Sequence, residues 1–289
     1  MRILVSSDLH YNIPRSRASA EDLAARACRT GGDALVLVGD TAGADMGPFR
    51  EALRLFEGFG GLKALVPGNH CLWAYGGGDS LHRYRVELPA LAAQEGFVLL
   101  DHQPQTLGGV GLAGSIGWYD YSFADESLGI PLAFYRAKLS PGAANYLGRR
   151  ELVAAHAADL NDRHMSMGVR WMDGQYVKLG MSDEEFTALL AETLRGQLET
   201  LSASCERIVA FLHHLPFAGL VPRGRPDRFK FAAAFLGAGR LGEVLMQFPK
   251  VTNVFCGHSH WRSRVQIDQM DVLAMGSTYI EKHLDVLEL

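Results

Sequence analysis

Six short runs of Val, Ile, Leu and other apolar residues recur along the chain, and they constrain its fold more than any other feature. They cover residues 3–5, 34–38, 64–66, 97–100, 208–212 and 251–255. Apolar runs this short, bounded by Gly, Pro or polar residues, are typical of β-strands that are buried on both faces. The sequence therefore predicts buried sheets.

Helical patterns separate these runs. The clearest begins at Ser182, which forms an S-x-x-E capping box with Glu185 and precedes an apolar stripe that continues to about Leu201. Further helices are predicted at residues 19–29, with Ser19 as the N-cap, at 48–59 and at 81–95. Strands that alternate with helices predict an α/β fold. Because the glycines of residues 107–115 predict a hairpin, we expect mixed sheets covered by helices.

Residues 117–181 interrupt this alternation and are dense in aromatic residues, with helical pieces predicted around 148–162. Two interpretations stay open for this segment: ordinary packing of a surface insertion, or a cap over an active site or subunit contact. The chain has 289 residues, of which 48 % are hydrophobic, and can bury a large core. We predict a single domain over residues 1–289 with an insertion at about 117–181.

Five of the apolar runs are directly followed by polar clusters. These are Asp8-Leu9-His10, Gly39-Asp40, Gly68-Asn69-His70, His213-His214 and Gly257-His258-Ser259-His260. Each cluster alone is a weak signal, because a D-x-H or a Gly-Asp pair is usually a strand end or a turn. Together they are expected to meet at the carboxyl ends of the strands, where open α/β sheets bind ligands.

The chemistry of these clusters indicates metal binding. They supply imidazole, carboxylate and amide groups, a mixture that suits divalent Mn, Fe or Zn. About seven ligands are too many for one closed tetrahedral site. The number fits two divalent metal ions that share a bridging carboxylate.

The motifs D-x-H, GD, GNH, H and GHxH, in this order from Asp8 to His260, resemble those of the calcineurin-like metallophosphoesterases. The resemblance implies a four-layer αββα sandwich of two mixed β-sheets flanked by helices. It also implies a phosphodiesterase or phosphomonoesterase with a dinuclear metal centre and a bridging hydroxide nucleophile.

The resemblance assigns roles residue by residue. Asp8, His10 and His260 would bind the first metal, and Asp40 would bridge both ions. Asn69, His213 and His258 would complete the second metal site, with His214 as the alternative to His213 because Pro216 allows an H-x-P alignment. His70 would bind no metal; it would face the phosphate and stabilise charge or protonate the leaving oxygen.

Two positions depart from the family pattern. The family usually has an acid at the end of GDxxD or GDxxE and another directly after GNH, whereas this chain has Gly43 and Cys71 there. These acids orient or polarise the histidine of GNH, so the tuning of His70 is predicted to differ. Asp45 is the nearest acid that could substitute.

A basic run, VPRGRPDRFK, follows the histidine pair. Such a run is usually a solvated loop. The alternative is a loop that positions phosphate, because guanidinium groups match phosphate oxygens. On that interpretation Arg223 and Arg225, together with His214, are the predicted substrate-binding residues.

Composition argues against several other classes. The four cysteines are widely spaced, which fits neither a disulfide framework nor a thiolate zinc site. No segment approaches the roughly 18–20 apolar residues of a membrane span, so a cytoplasmic location without a membrane partner is predicted. The net charge of −4 gives no electrostatic reason for a nucleic-acid partner. We expect a small-molecule phosphoester substrate; the sequence does not indicate the oligomeric state.

Three functions follow from these observations. The first is a metal-dependent phosphoester hydrolase. The second is a nuclease of the same superfamily, which the net charge disfavours. The third is a catalytically inactive binding scaffold, which the retention of every ligand disfavours. The GDxVDRG and GNHE motifs of protein serine/threonine phosphatases are absent. Length and the histidine pair resemble small bacterial phosphodiesterases of the cyclic-nucleotide or glycerophosphodiester type, and the substrate stays open.

Overall fold

The computed structural model describes residues 1–289 and contains two β-sheets. The strands are β1 (Arg2–Ser6), β2 (Ala34–Val38), β3 (Leu62–Val66), β4 (Val98–Leu99), β5 (Gln105–Leu107), β6 (Val110–Ser115), β7 (Arg207–Leu212), β8 (Val251–Cys256), β9 (Ser263–Ile267), β10 (Met270–Ala274) and β11 (Asp285–Glu288). The first sheet has the order β11-β1-β2-β3-β4, and the second has the order β5-β6-β7-β8-β10-β9.

Both sheets are mixed, as the sequence predicts. Strands β1 to β4 are parallel to one another, and β11 joins the edge antiparallel to β1. In the second sheet β6, β7, β8 and β10 are parallel, whereas β5 and β9 are antiparallel edge strands. The predicted hairpin of residues 107–115 is the turn between β5 and β6, where Gly108 and Gly109 have positive φ.

Helices cover the outer faces of the sheets. They are α1 (Pro14–Thr30), α2 (Met46–Arg54), α3 (Asn69–Leu72), α4 (Ser80–His82), α5 (Leu88–Gln94), α6 (Leu132–Arg136), α7 (Pro141–Tyr146), α8 (Arg150–Ala155), α9 (Asp162–Met165), α10 (Asp173–Tyr176), α11 (Asp183–Ser204), α12 (Asp227–Ala233) and α13 (Gly239–Met246). Short 3₁₀ segments lie at Glu126–Leu128, Ala157–Asp159 and Ala218–Leu220, and a π-helical turn at Arg83–Glu87 joins α4 to α5.

Three apolar clusters separate the layers. The cluster between the two sheets packs Ile3, Val5 and Val36 of the first sheet against Val209 and Phe211 of the second. A second cluster joins the first sheet to α1, α2 and α5, and a third joins the second sheet to α11 and α13. Helix, sheet, sheet and helix are therefore stacked in that order, and the predicted αββα sandwich is confirmed.

The helix boundaries differ from prediction at one important point. The first helix begins at Pro14 rather than at Ser19, and its N-cap Ile13 makes no side-chain capping bond. Ser19 lies inside the helix, where its hydroxyl donates to the Ser16 carbonyl oxygen at 3.0 Å. The prediction overlooked that proline is well suited to the first helical position, where its missing N–H has no partner to lose.

Residues 117–181 form short helices and loops that pack against the first-sheet core. Trp118, Tyr119, Phe134 and Tyr135 are buried in the same apolar cluster as α1 and α2. The segment is thus joined to the main core. The predicted division into one domain with an insertion stays a prediction.

No helix is long and apolar enough to cross a bilayer. The four cysteines are free thiols.

Candidate metal centre

The five polar clusters meet at one edge of the sandwich. Asp8 follows β1, Asp40 follows β2 and Asn69 follows β3, while His213 follows β7 and His258 follows β8. Hydrogen bonds from backbone and side-chain groups connect these loops across the two sheets. The His258 N–H donates to Asp8 Oδ1 at 3.1 Å, and His213 Nδ1 donates to the Val38 carbonyl oxygen at 3.1 Å. The edge therefore draws on both sheets.

The backbone of this edge is strained at the predicted ligands. Positive φ angles occur at Asp8 (54°), His10 (46°), Asp40 (47°), His258 (66°) and His260 (52°). Only three other non-glycine residues in the chain share this conformation. A residue with a Cβ pays of order 1–3 kcal/mol for it, and such strain collects at functional sites. The concentration at these five positions supports a functional role for the edge.

Glycines allow the loops to approach one another. A Cβ on Gly39 would lie 2.0 Å from His213 Nδ1, and φ is +83° there. A Cβ on Gly257 would lie 2.8 Å from Asp8 Oδ2 and 3.0 Å from His213 Nδ1. The glycines that precede Asp40 and His258 are therefore required by close packing around the carboxylates.

Potential ligand atoms form two groups that meet near Asp40, and a third group, made of His10, Asp40 and His70, overlaps both. In the first group His10 Nε2 lies 3.3 Å from His260 Nε2, and Asp8 Oδ1 lies 3.6 Å from His260 Nε2. In the second group Asp40, His213 and His258 offer atoms within 4.8 Å of one another. Asp40 Oδ2 is 3.6 Å from His10 Nε2 and 3.5 Å from His213 Nε2. One carboxylate thus contacts both groups.

Two buried polar atoms without hydrogen-bond partners indicate whether these residues fit a cation. Asn69 Oδ1 and His213 Nε2 are buried without a hydrogen-bond partner. Their other polar atoms are held, because Asn69 Nδ2 donates to Asp173 at 2.9 Å and His213 Nδ1 donates to Val38. A buried amide oxygen without a partner is costly, and a bound cation would satisfy Asn69 Oδ1. The same cation would displace the proton from His213 Nε2. The donor set fits divalent metal ions.

His258 is oriented in the same way. Its Nε2 donates to the Phe235 carbonyl oxygen at 3.1 Å, which leaves Nδ1 to face Asp40 and His213. Histidine ligands of metals commonly donate their other N–H to a carbonyl or carboxylate, and this bond fixes the tautomer.

His70 lies beside this cluster and lacks the acid partner that the family pattern supplies. Its Nε2 is 4.0 Å from Asp40 Oδ2, and its buried Nδ1 has no partner. Asp45 does not substitute, because it is exposed and caps α2 by accepting from the Gly47 N–H at 2.9 Å. Cys71 points to the Ala42 carbonyl oxygen, and burial raises the pKa of its thiol to about 11.

Aromatic stacking holds His70 instead. The indole of Trp73 lies 3.9 Å from the His70 ring, between centroids, at an interplanar angle of 22°. No motif in the sequence marks Trp73. The residue stands three positions after His70, but nothing in that spacing indicates that the two rings stack.

Asp173, at the start of α10 in the aromatic segment, is a second residue that the sequence analysis missed. One oxygen accepts from Asn69 Nδ2 at 2.9 Å and from Trp73 Nε1 at 2.7 Å. The other oxygen accepts from Trp171 Nε1 at 2.8 Å and from the Tyr119 hydroxyl at 3.1 Å. This buried carboxylate therefore connects the aromatic segment to a predicted metal ligand and to the indole that stacks on His70.

Asp40 and His213 form a buried ion pair within the cluster. Burial opposes the charge on Asp40, but the neighbouring His213 and His70 hold the pKa of its carboxyl well below the usual value. Burial likewise opposes charge on His213, yet Asp40 raises the pKa of that imidazole to about 9. Burial lowers the pKa values of His10 and His258, so these rings are neutral and available as ligands.

Lys282 adds a positive charge beneath the site. Its ammonium group is buried and donates to the backbone carbonyl oxygens of Asp8 and Thr278. Burial lowers the pKa of Lys282 to about 8, although Asp8 and Asp40 favour its charged form. No motif marks this lysine, so the sequence analysis did not include it.

The predicted substrate-binding residues lie in different surroundings. His214 is fully buried, its Nδ1 donates to the Ile116 carbonyl oxygen at 3.0 Å, and its ring packs against His258. Arg223 is exposed, and it does not line the cavity beside the cluster. Arg225 does line that cavity. Of these three residues, the structure brings only Arg225 to the cavity.

The cavity has a volume of about 560 Å³. Its floor includes Asp40, Asn69, His70, His258 and His260. Residues 170–173 of the aromatic segment form part of its wall. A segment that is also packed into the core therefore borders the predicted reaction site.

Comparison with known proteins agrees with this arrangement. The calcineurin-like phosphoesterase family model matches residues 1–128, which include the first three of the five polar clusters. No curated protein matches the chain. The resemblance to calcineurin-like phosphoesterases is confirmed.

Three solved structures have a similar fold. Phosphopantetheinyl hydrolase from Mycobacterium tuberculosis is 19 % identical, with a TM-score of 0.68 over 96 % of this chain and 89 % of that one. A protein of Thermus thermophilus is 13 % identical, with a TM-score of 0.52 over 99 % and 97 %. A dimetal phosphatase from Danio rerio is 14 % identical, with a TM-score of 0.50 over 99 % and 91 %. Likeness at these identities shows the shared fold alone.

Proposed function

We propose that this chain, whose residues 1–128 match the calcineurin-like phosphoesterases, is a hydrolase that cleaves a phosphomonoester or phosphodiester with two divalent metal ions. The family implies metal-dependent phosphoester hydrolysis. The observation that carries the dinuclear proposal is the position of Asp40, whose Oδ2 lies 3.6 Å from His10 Nε2 and 3.5 Å from His213 Nε2.

The ligand sets follow the two groups around Asp40. Asp8, His10 and His260 would hold one ion, and Asn69, His213 and His258 would hold the other, with Asp40 shared. Mixed imidazole and oxygen donors without a thiolate suit Mn, Fe or Zn. When bound, such a pair of ions supplies an activated water and positive charge for the phosphoryl oxygens.

The chain's own residues position the leaving group and its proton. In hydrolysis a water oxygen bonds to phosphorus, the bond from phosphorus to the ester oxygen breaks, and the leaving oxygen takes a proton. His70 borders both Asp40 and the cavity, and we assign it as the donor of that proton. Stacking on Trp73 holds the plane of the His70 ring while it does so.

We propose a small phosphoester as the substrate class. Phosphopantetheinyl esters belong in the test panel, because a structural neighbour with a TM-score of 0.68 bears that name. A nuclease is disfavoured by the net charge of −4. A cytoplasmic location, where free thiols stay reduced, remains part of the proposal.

The deciding experiment joins metal content to activity. The purified protein is stripped with chelator, reloaded with Mn, Fe or Zn, and analysed for bound metal. It is then assayed against phosphomonoesters, phosphodiesters, phosphopantetheinyl esters, nucleotides and single-stranded DNA. We expect about two ions per chain and ester hydrolysis that stops when the metal is removed. Two bound ions without hydrolysis of any ester would instead favour the binding scaffold.

A further inference from the structure

Part of the cavity wall is apolar. Residues 221–236 contribute Val221, Phe229 and Leu236, and the aromatic segment contributes Trp171 and Met172. None of these side chains offers a carboxylate or imidazole ligand to a metal ion. A volume of about 560 Å³ is in the range of pockets that enclose a drug-sized organic group. A bare phosphate or a methyl ester would leave most of this space empty.

Large apolar side chains remain exposed at the same place. Phe229 is 49 % exposed and Trp261 is 48 % exposed, and both line the cavity. Exposed apolar groups that are collected around a concavity, rather than scattered singly, are typical of a binding surface. This observation is independent of the predicted ligand set.

Arg225 gives the cavity one more chemical feature. Its guanidinium carbon lies 4.1 Å from the centroid of the Trp261 ring. No carboxylate pairs with Arg225, whereas the nearby Arg163 pairs with Asp227 and Lys230 pairs with Asp125. An arginine that is stacked on an indole and has no acidic partner is ready to receive an anionic group.

We propose that the substrate is a phosphoester with one ester group that is an extended apolar arm, and that this arm carries a second anionic group toward its far end. The arm would lie along Val221, Phe229 and Leu236. Its anion would meet Arg225. The inference rests on the proposed function, because it assumes that the ester phosphate is held at the metal cluster.

The test uses 4-nitrophenyl phosphodiesters with methyl, butyl and octyl arms, and an octyl arm that ends in a carboxylate. Burial of each methylene should raise kcat/KM about threefold to fourfold until the cavity is filled. The terminal carboxylate should raise kcat/KM further. A flat response from methyl to octyl would overturn the inference while leaving the proposed hydrolase intact.

Two variants with matched controls assign the contacts. Phe229→Ala should lower the octyl-to-methyl ratio of kcat/KM, and Tyr146→Ala, which removes an aromatic group that is 89 % exposed, should not. Arg225→Gln should remove the advantage of the terminal carboxylate, and Arg240→Gln, an exposed arginine on α13, should keep it. Equal effects of a variant and its control would overturn the assigned contact.

Binding separates this inference from the proposed function. Methylphosphonate and octylphosphonate cannot be hydrolysed, and their affinities for the metal-loaded protein are compared by calorimetry. Tighter binding of octylphosphonate, with a negative heat-capacity change, supports the apolar arm even if no ester is cleaved. Equal affinity of the two phosphonates overturns the inference, whatever the hydrolysis assays give.

Discussion

At the scale of single residues, Asp40 is the side chain on which the predicted centre depends. Its Oδ2 faces His10 and His213, and its Oδ1 accepts from the His70 N–H at 3.0 Å. We expect Asp40→Asn to lose both metal ions together, because the neutral amide has no negative charge for the two ions to share. Metal analysis of the reloaded variant checks this. Retention of two ions per chain would show that the bridge is wrongly assigned.

His70 separates chemistry from metal binding at the same scale. The ligand atom of His70 lies within 4.8 Å of those of His10 and Asp40, but the family resemblance assigns His70 to neither ion. We therefore expect His70→Ala to keep the metal content of the wild type. Hydrolysis of esters of poorly acidic alcohols should slow about 10²–10⁴-fold, which is the usual contribution of a positioned acid. We expect the lower end of this range, because His70 Nδ1 has no acid partner.

A matched substrate serves as the control for His70. Hydrolysis of a 4-nitrophenyl ester releases 4-nitrophenolate, a stable anion that needs no proton. In the same variant preparation its hydrolysis rate should therefore fall less than that of an alkyl ester. Loss of a metal ion, or an equal loss for both esters, would remove the proton-donor role from His70.

At the scale of structural elements, α10 connects the aromatic segment to the predicted centre through Asp173. Ala has no acceptor oxygen where Asp173 accepts from four donors, so Asp173→Ala should release the amide of Asn69. Partners of metal ligands typically change metal affinity by about 10–100-fold. We expect one of the two ions to bind about that much more weakly, measured by competition with a chelator.

Asp183→Ala is the control for this prediction. Asp183 is a second buried carboxylate of the same region. It accepts from Trp118 Nε1 at 2.8 Å and pairs with Lys138, and neither partner is a predicted metal ligand. Its loss should lower the free energy of unfolding and leave metal affinity unchanged. If both variants weakened metal binding equally, the effect of Asp173 would be on folding alone.

The elements also show why some features were predictable. The strand at Ala34–Val38 matches its prediction fully, and the capping box of Ser182 and Glu185 forms at the start of α11, because both signals are local in sequence. Asp173 and Asn69 are 104 residues apart, and no local pattern brings them together. The strand-end clusters are also far apart in sequence, but their meeting was predictable, because parallel strands bring their carboxyl ends to one edge of a sheet.

At the scale of the whole molecule, a buried polar seam joins the two halves of the sandwich. Asp101 Oδ1 accepts from the Tyr84 hydroxyl at 2.8 Å and from the Ile116 N–H, just beyond β6, at 2.6 Å. Gln197 of α11 donates to the carbonyl oxygens of Asp101 and Gly114 at 3.0 Å each. The seam thus ties the π-helical turn beside the first sheet to the second sheet and its covering helix.

Asp101 should make the stability of this molecule depend on pH. Its Oδ2 is buried without a partner, and burial raises the pKa of its carboxyl to about 7 from the usual 3.8. A raised folded-state pKa favours the protonated form. The contribution of protonated Asp101 to the free energy of unfolding is therefore fully present below about pH 4, and it is lost as the pH rises through about 7. The shift corresponds to roughly 4 kcal/mol in the free energy of unfolding.

Asp101→Asn isolates this contribution, because the amide oxygen can still accept from Tyr84 and Ile116 but does not titrate. Urea unfolding of the metal-free protein, in chelator at pH 5 and pH 8, measures the free energy of unfolding for both proteins. Histidines and other carboxylates contribute equally to both, so the difference between the two pH dependences belongs to Asp101. We expect the wild type to lose more stability than the variant as the pH rises. An identical loss in both would show that Asp101 is already ionised in the folded protein at pH 5.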